Sequence, residues 1–154
     1  MKKTLLICVS IVFACIVVLS GIIFYVKART AIKLEENKSL ISKIESVVKT
    51  SSSIDFKTIT DFQWDKLYII TPYGQPENTL KENNIKWINI DKSIEVSDGI
   101  NLIIFTYKGD IVSYVNYPRN LGDFYPLKFK EFDKNKATFN INKTNNEIKL
   151  TPAD

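Results

Sequence analysis

The most apolar stretch of the chain, Thr4–Val26, contains no charged residue. As a helix it would be about 35 Å long, which exceeds the roughly 30 Å hydrocarbon core of a bilayer. A helix is the form expected there because every backbone N–H in lipid must be bonded within the segment. The sequence therefore predicts an N-terminal transmembrane helix, with the lipid bilayer as the partner of residues 4–26.

Two other interpretations of residues 1–29 stay open at this point. A cleaved signal peptide fits the basic start and the cleavage-like Val26-Lys27-Ala28, but its apolar stretch is ordinarily shorter. A lipoprotein would carry its lipid on Cys15. We expect an uncleaved signal anchor in a bacterial plasma membrane, single-pass, with the domain on the extracytoplasmic side. The charges on the two sides of the segment are nearly balanced and do not decide the orientation.

The next segment, Thr30–Lys49, lacks glycine and proline and is rich in good helix formers. Leu34, Ile41, Ile44 and Val48 recur with the period of a helix, so they share one face. Residues 30–53 are therefore expected to form an amphipathic helix that ends in a serine-rich hinge.

From residue 54 onward, short apolar or alternating runs are separated by turn residues, and Pro76 suits the first position of a short helix. The strand candidates are 66–71, 85–90, 93–97, 101–107, 111–117, 125–132, 137–142 and 147–151. Strands joined by such short turns predict an α+β domain over 54–154, with an antiparallel meander sheet of about 5–7 strands.

The hairpin of residues 101–107 and 111–117 is apolar on both faces. It should therefore lie centrally, with both faces covered, or with one face covered and the other presented to a partner. A two-residue Lys108-Gly109 loop would place Phe105, Val112 and Tyr114 on one face, whereas a three-residue loop would change the pairing. The register stays open.

The net charge of +4 arises next to the apolar stretch, at Lys2, Lys3, Lys27 and Arg29, and from residue 30 onward basic and acidic residues balance. No nucleic-acid partner is therefore expected. Both cysteines, Cys8 and Cys15, lie within the apolar stretch, so disulfides and thiolate metal sites are not expected in the domain.

Histidine is absent from the whole chain, which removes the commonest general base. Ser46-x-x-Lys49 matches a known nucleophile motif, but its companion motifs are missing. The acids Asp61 with Asp65, and Asp91 with Glu95 and Asp98, lack the spacing of a calcium loop. We expect no catalytic residue, no metal and no cofactor.

The most prominent motif is Phe62-x-Trp64-Asp65, which leads through a strand into the turn Thr71-Pro72-Tyr73-Gly74. Proline second and glycine fourth predict a type I turn. The motif is explained either by a buried tryptophan with a locally bonded aspartate or by a binding site. Aromatic side chains also anchor interfaces. The candidate partner-binding residues are Trp64, Asp65, Tyr73, Tyr107, Tyr114, Tyr117 and Tyr125.

The F-x-W-D…P-Y-G pattern resembles small membrane-anchored or lipoprotein-type exported domains of low-GC Gram-positive bacteria, mostly of unassigned function. The resemblance covers residues 59–118 and implies an exported, non-enzymatic domain. We therefore expect a membrane-tethered protein-binding module, of the kind that includes immunity and inhibitor proteins. The alternatives are a structural subunit of a pilus-like or secretion assembly and, less favoured, an envelope hydrolase that uses carboxylates such as Asp65 or Asp98.

Overall fold

The computed structural model describes residues 14–23, 25, 34–86, 88, 90–125, 129–144 and 147–153. The chain divides into two compact units, Met1–Lys33 and Leu34–Asp154. In the first unit, residues 14–23 and 25 are helical, and their large apolar side chains are exposed.

Among the residues that the structure describes, no helix is both long and apolar enough to cross a membrane. The predicted transmembrane helix, its role as an uncleaved signal anchor and the single-pass membrane location are contradicted by this finding. The remaining parts of the predicted span, residues 4–13, 24 and 26, lie outside the described residues, as do Cys8 and the flanking Lys2, Lys3, Lys27 and Arg29.

The second unit combines short helices with two sheets and is α+β, as predicted. Its helices are α1 (Lys38–Thr50), α2 (Phe56–Ile59) and α3 (Pro76–Glu82). Its strands are β1 (Ser53–Asp55), β2 (Lys66–Ile70), β3 (Ile100–Tyr107), β4 (Asp110–Pro118), β5 (Asp123–Phe124), β6 (Phe129–Asp133), β7 (Thr138–Lys143) and β8 (Ile148–Pro152).

The strands form two four-stranded sheets and not the single meander that the sequence predicted. Sheet I has the order β1-β7-β8-β5, and sheet II has the order β4-β3-β2-β6. All pairs are antiparallel except β5 with β8. The predicted meander is wrong because a meander pairs consecutive strands, whereas β2 pairs with the distant β6 and β1 pairs with β7. Two predicted strands, 85–90 and 93–97, are also absent: Ser93–Glu95 is a turn of 3-10 helix, and described residues 85, 86, 88 and 90 are irregular.

Helix α1 begins where Asn37 caps it: its side-chain oxygen accepts a hydrogen bond from the Leu40 N–H at 3.1 Å. Leu40, Ile44 and Val48 are buried on one face, which confirms the predicted amphipathic pattern from Lys38 onward. Residues 30–33, where the predicted helix began, lie outside the described part of the chain.

Sheet II is covered on both faces, which is one of the two arrangements predicted for the apolar hairpin, but of the two hairpin strands only β3 is central and β4 lies at the edge of the sheet. One face carries Leu67, Ile69, Ile103 and Phe105 and packs on α1 and sheet I. The opposite face packs on the segment that contains α3 and the 3-10 turn, and its buried residues are Tyr68, Ile70, Leu102, Ile104, Ile111 and Tyr114.

The β3–β4 hairpin turns through Lys108 and Gly109, whose φ values of 53° and 83° are those of a two-residue type I′ turn. A bulge between Phe105 and Thr106 then shifts the register. Because of it, Tyr114 pairs with Ile104 and Val115 with Ile103, so Tyr114 does not share the Phe105 face expected for an unbroken two-residue hairpin.

Candidate functional site

Trp64 and Asp65 of the prominent motif make contacts that hold the fold together. Trp64 is 2% exposed, packs edge-on against Phe105, and donates its indole N–H to Thr60 Oγ1 at 2.7 Å. The Asp65 carboxylate accepts the backbone N–H of Lys108 at 2.7 Å, and the Thr106 hydroxyl lies 3.4 Å from its other oxygen. The motif therefore fixes the β3–β4 turn on the end of β2.

Three of the candidate tyrosines lie within the fold. Tyr117 is fully buried, and its hydroxyl donates to the Leu121 carbonyl at 3.1 Å. Tyr114 is 3% exposed. Burial raises the pKa of the Tyr114 hydroxyl and of the Tyr117 hydroxyl. Tyr107 is half-buried and accepts a hydrogen bond from the Gln63 amide at 2.9 Å. The hairpin therefore presents no bare aromatic row.

Tyr73 is different, because the residue is 63% exposed while its backbone adopts a left-handed conformation with φ 61°. A positive φ at the third turn position is that of a type II turn, so the predicted type I turn is wrong. The turn is closed by Gly74 N–H donating to Thr71 O at 3.1 Å, and Tyr73 N–H donates to Ile94 O at 2.9 Å. Two hydrogen bonds therefore hold an exposed aromatic residue where glycine is ordinarily preferred.

The surface around Tyr73 combines apolar and acidic groups. Val96 is 82% exposed, the highest value among the large apolar side chains in the described parts of the chain. Lys92 pairs with Glu77, whereas Glu95 has no ion pair within the described residues. We call this surface the Tyr73 patch, and it comprises Tyr73, Gln75, Glu77, Asn78, Glu95 and Val96.

Tyr125, the other candidate that is exposed, lines a cleft of about 810 Å³ beside β5 and β8. Tyr125 is 54% exposed, and Lys149 Nζ lies 5.0 Å from the centroid of its ring. We call this the Tyr125 cleft, and its charged and aromatic lining consists of Arg119, Asp123, Tyr125, Lys143, Glu147 and Lys149.

The floor of the Tyr125 cleft is fixed by an ion pair. Arg119 donates to both Asp123 oxygens, at 2.8 and 2.6 Å, and the Asn101 amide donates to Asp123 at 3.0 Å. Burial alone would raise the pKa of Asp123, but these hydrogen bonds and the Arg119 charge lower it. The cluster ties β5 of sheet I to β3 of sheet II.

The other chemistry considered from the sequence is dispersed. Lys49 of the Ser-x-x-Lys motif pairs with Glu45 at 2.5 Å, and Asp61 pairs with Lys43 at 2.8 Å. Asp91 accepts the Ser93 N–H and the Asn116 amide. Over the described ranges, no three acidic or thiol side chains are grouped so as to hold a metal ion.

The comparisons with known proteins give little support for any assignment. No protein-family model and no solved structure matches the chain. A stretch of 95 residues is 36% identical to the ubiquitin carboxyl-terminal hydrolase UCH54 of Plasmodium falciparum (isolate 3D7). The match covers 61% of this chain but only 19% of that protein, so it does not place the chain in a family.

Sequence reasoning missed Val96 and the cations of the Tyr125 cleft, and it considered Glu95 only together with Asp91 and Asp98 as possible calcium ligands. Glu95 and Val96 lie in a segment predicted to be a strand, in which alternate residues would be buried. The signal for the cleft was weak, since Arg119, Lys143 and Lys149 are separated along the sequence and are brought together by the β5–β8 and β7–β8 pairings.

Proposed function

We propose that the unit Leu34–Asp154 is a non-enzymatic protein-binding module that contacts its partner through the Tyr73 patch. The observation that carries the proposal is the backbone of Tyr73. A non-glycine residue in the left-handed region costs roughly 1–2 kcal/mol, and the exposed ring recovers little of this by packing. Such strain clusters at ligand clamps and switch regions, and Tyr73 differs from the two other strained non-glycine residues described, Asn84 and Lys108, in that it exposes an aromatic side chain.

The chemistry of the patch supports a protein partner. Tyrosine brings a large, rigid surface to an interface with few rotatable bonds, and it is enriched among residues that dominate binding energy. Val96 adds apolar area beside it. The two hydrogen bonds that fix the turn mean that little conformational freedom is lost when the ring is covered.

The hydrogen bonds that two carboxylates accept within the fold support a non-enzymatic function. The Asp65 carboxylate caps the hairpin turn, and the Asp123 carboxylate is occupied by Arg119 and Asn101. A carboxylate so engaged is poorly placed to act as a general base, because its lone pairs are already taken.

Affinity capture with the full chain tests the proposal. Tyr73→Gly should abolish recovery of the stoichiometric partner, because it removes the ring while keeping the turn. Lys108→Gly is the matched control, since Lys108 is also an exposed residue with positive φ. Equal recovery with both variants, or no stoichiometric partner with the unaltered chain, would overturn the proposal.

A further inference from the structure

The Tyr73 patch and the Tyr125 cleft differ in the sign of their charge. The patch exposes an aromatic side chain with the carboxylates of Glu77 and Glu95 beside it, and Lys92 pairs with Glu77, so one negative charge is left in excess among these described residues. The cleft offers about 810 Å³, and it is lined by three cations and two carboxylates. The two surfaces therefore carry opposite net charge.

We propose that the partner of the Tyr73 patch is the Tyr125 cleft of a second copy of this chain. This inference rests on the proposed function and names the partner of the same site. In the complex, Tyr73 enters the cleft beside Tyr125, and Glu95 lies against the ammonium group of Lys149. Opposite charges placed in this way set the register of an interface and speed its formation.

The charges already within each surface are consistent with this arrangement. Glu95 is attracted by the nearby Lys92 ammonium group, which pairs with Glu77, and the salt bridges among the described residues leave its carboxylate able to contact a second chain. Lys149 pairs with Glu147 at 2.9 Å and lies over the Tyr125 ring, which holds its ammonium group at the cleft. From residue 30 onward the chain is charge-balanced, so no net repulsion opposes association of two copies.

The proposed contact is compatible with two symmetries, because the patch and the cleft share no residue. In a two-fold dimer each copy places its patch in the cleft of the other. In a head-to-tail assembly the patch of one copy lies in the cleft of the next, which gives a ring or a linear polymer. The contact between patch and cleft is the same in both.

Photo-crosslinking with the full chain tests this contact directly. The photo-crosslinker p-benzoylphenylalanine replaces Tyr73 in unlabelled protein, which is mixed with uniformly ¹⁵N-labelled, unaltered protein. We expect crosslinked peptides that join position 73 of the unlabelled copy to residues 119–125 or 143–149 of the labelled copy. The same crosslinker at Lys108 is the control and should not reach those residues.

A charge exchange separates the proposed contact from unspecific association. Glu95→Lys in the crosslinker copy should lower the yield about tenfold. Lys149→Glu in the labelled copy should restore it, and Lys143→Glu provides an independent second rescue if the first variant folds poorly.

Each outcome is decisive for this inference. Crosslinks to other surfaces of the second copy, crosslinks within one copy only, no crosslink, or failure of both rescues would overturn it. If position 73 instead crosslinks to a different protein when the full chain is expressed in its native cells, the self-association is wrong and the proposed binding function stands. If it crosslinks to neither, both fail.

Discussion

Asp65 Oδ2 accepts a hydrogen bond of 2.7 Å from the backbone N–H of Lys108, so the end of β2 is joined to the tip of the β3–β4 hairpin. The backbone adds two further bonds at this place: Asp65 N–H donates to Thr106 O, and Lys134 N–H donates to Asp65 O, both at 2.8 Å. One aspartate therefore connects three segments of sheet II.

Replacement of this aspartate should destabilise the fold. Asp65→Ala removes a charge-assisted bond and leaves the Lys108 N–H without its acceptor, which should lower the free energy of unfolding by about 2 kcal/mol. Asp61→Ala is the control, since Asp61 makes only an exposed pair with Lys43. Urea unfolding measures both, and equal effects of the two variants would show that Asp65 has no special role.

Gly74 is expected to tolerate no side chain. A Cβ atom there would lie 2.3 Å from Ile70 Cγ2 and 2.9 Å from the Thr71 carbonyl oxygen. Gly74→Ala should therefore cost about 1–3 kcal/mol of stability through overpacking. At Gly99 the nearest atom, Ser97 Oγ, would be 3.7 Å away, so Gly99→Ala should change stability little. Thermal unfolding of the two variants checks this, and a neutral Gly74→Ala would contradict the turn geometry.

Stability should depend on pH through Asp123. Its pKa in the folded chain lies below the ordinary value of 3.8, so its contribution is complete above that value and is lost as the pH falls through the lower, folded pKa. We expect the stability difference between the unaltered chain and Asp123→Asn to be constant from pH 7 to about pH 5 and to shrink below about pH 4. Urea unfolding at each pH measures it. A stability difference that grew on acidification would show that folding raises the pKa of Asp123 and does not lower it.

Tyr73→Gly should make the fold more stable. It releases left-handed strain of roughly 1–2 kcal/mol, against which glycine costs roughly 0.5–1 kcal/mol of unfolded-chain entropy, so a gain of about 0.5 kcal/mol is expected. Lys108→Gly should give a gain of the same sign, because its φ is 53°. A clear loss of stability in Tyr73→Gly would mean that the ring makes packing contacts that support the fold.

Much of the α+β domain could be read from local pattern. Strand β2, the β3–β4 hairpin, β7, β8, the short helix at Pro76 and the buried face of α1 all follow from periodicity and turn residues. What the pattern does not contain is long-range pairing. The partnership of β2 with β6 spans about sixty residues of sequence and is decided by packing of the finished sheet.

The candidate site was less predictable for related reasons. The bulge at Phe105/Thr106 moved Tyr114 to the other face of sheet II, and no residue type there signals a bulge. Proline at the second turn position suits type I and type II turns alike, so the strain at Tyr73 was invisible in the sequence. The exposure of Tyr125 depends on where β5 joins sheet I. That pairing involves only two residues of β5 and two of β8, which is too short to be recognised from the sequence.

The most direct test of the central claim is the dissociation constant of the captured partner, whether a second copy or another protein, for Tyr73→Gly and for Lys108→Gly. Both variants keep their turns, so a difference between them reports the loss of the Tyr73 ring. The account predicts that Tyr73→Gly binds at least about tenfold more weakly than the unaltered chain while Lys108→Gly binds equally well. Equal affinity of all three proteins would contradict it.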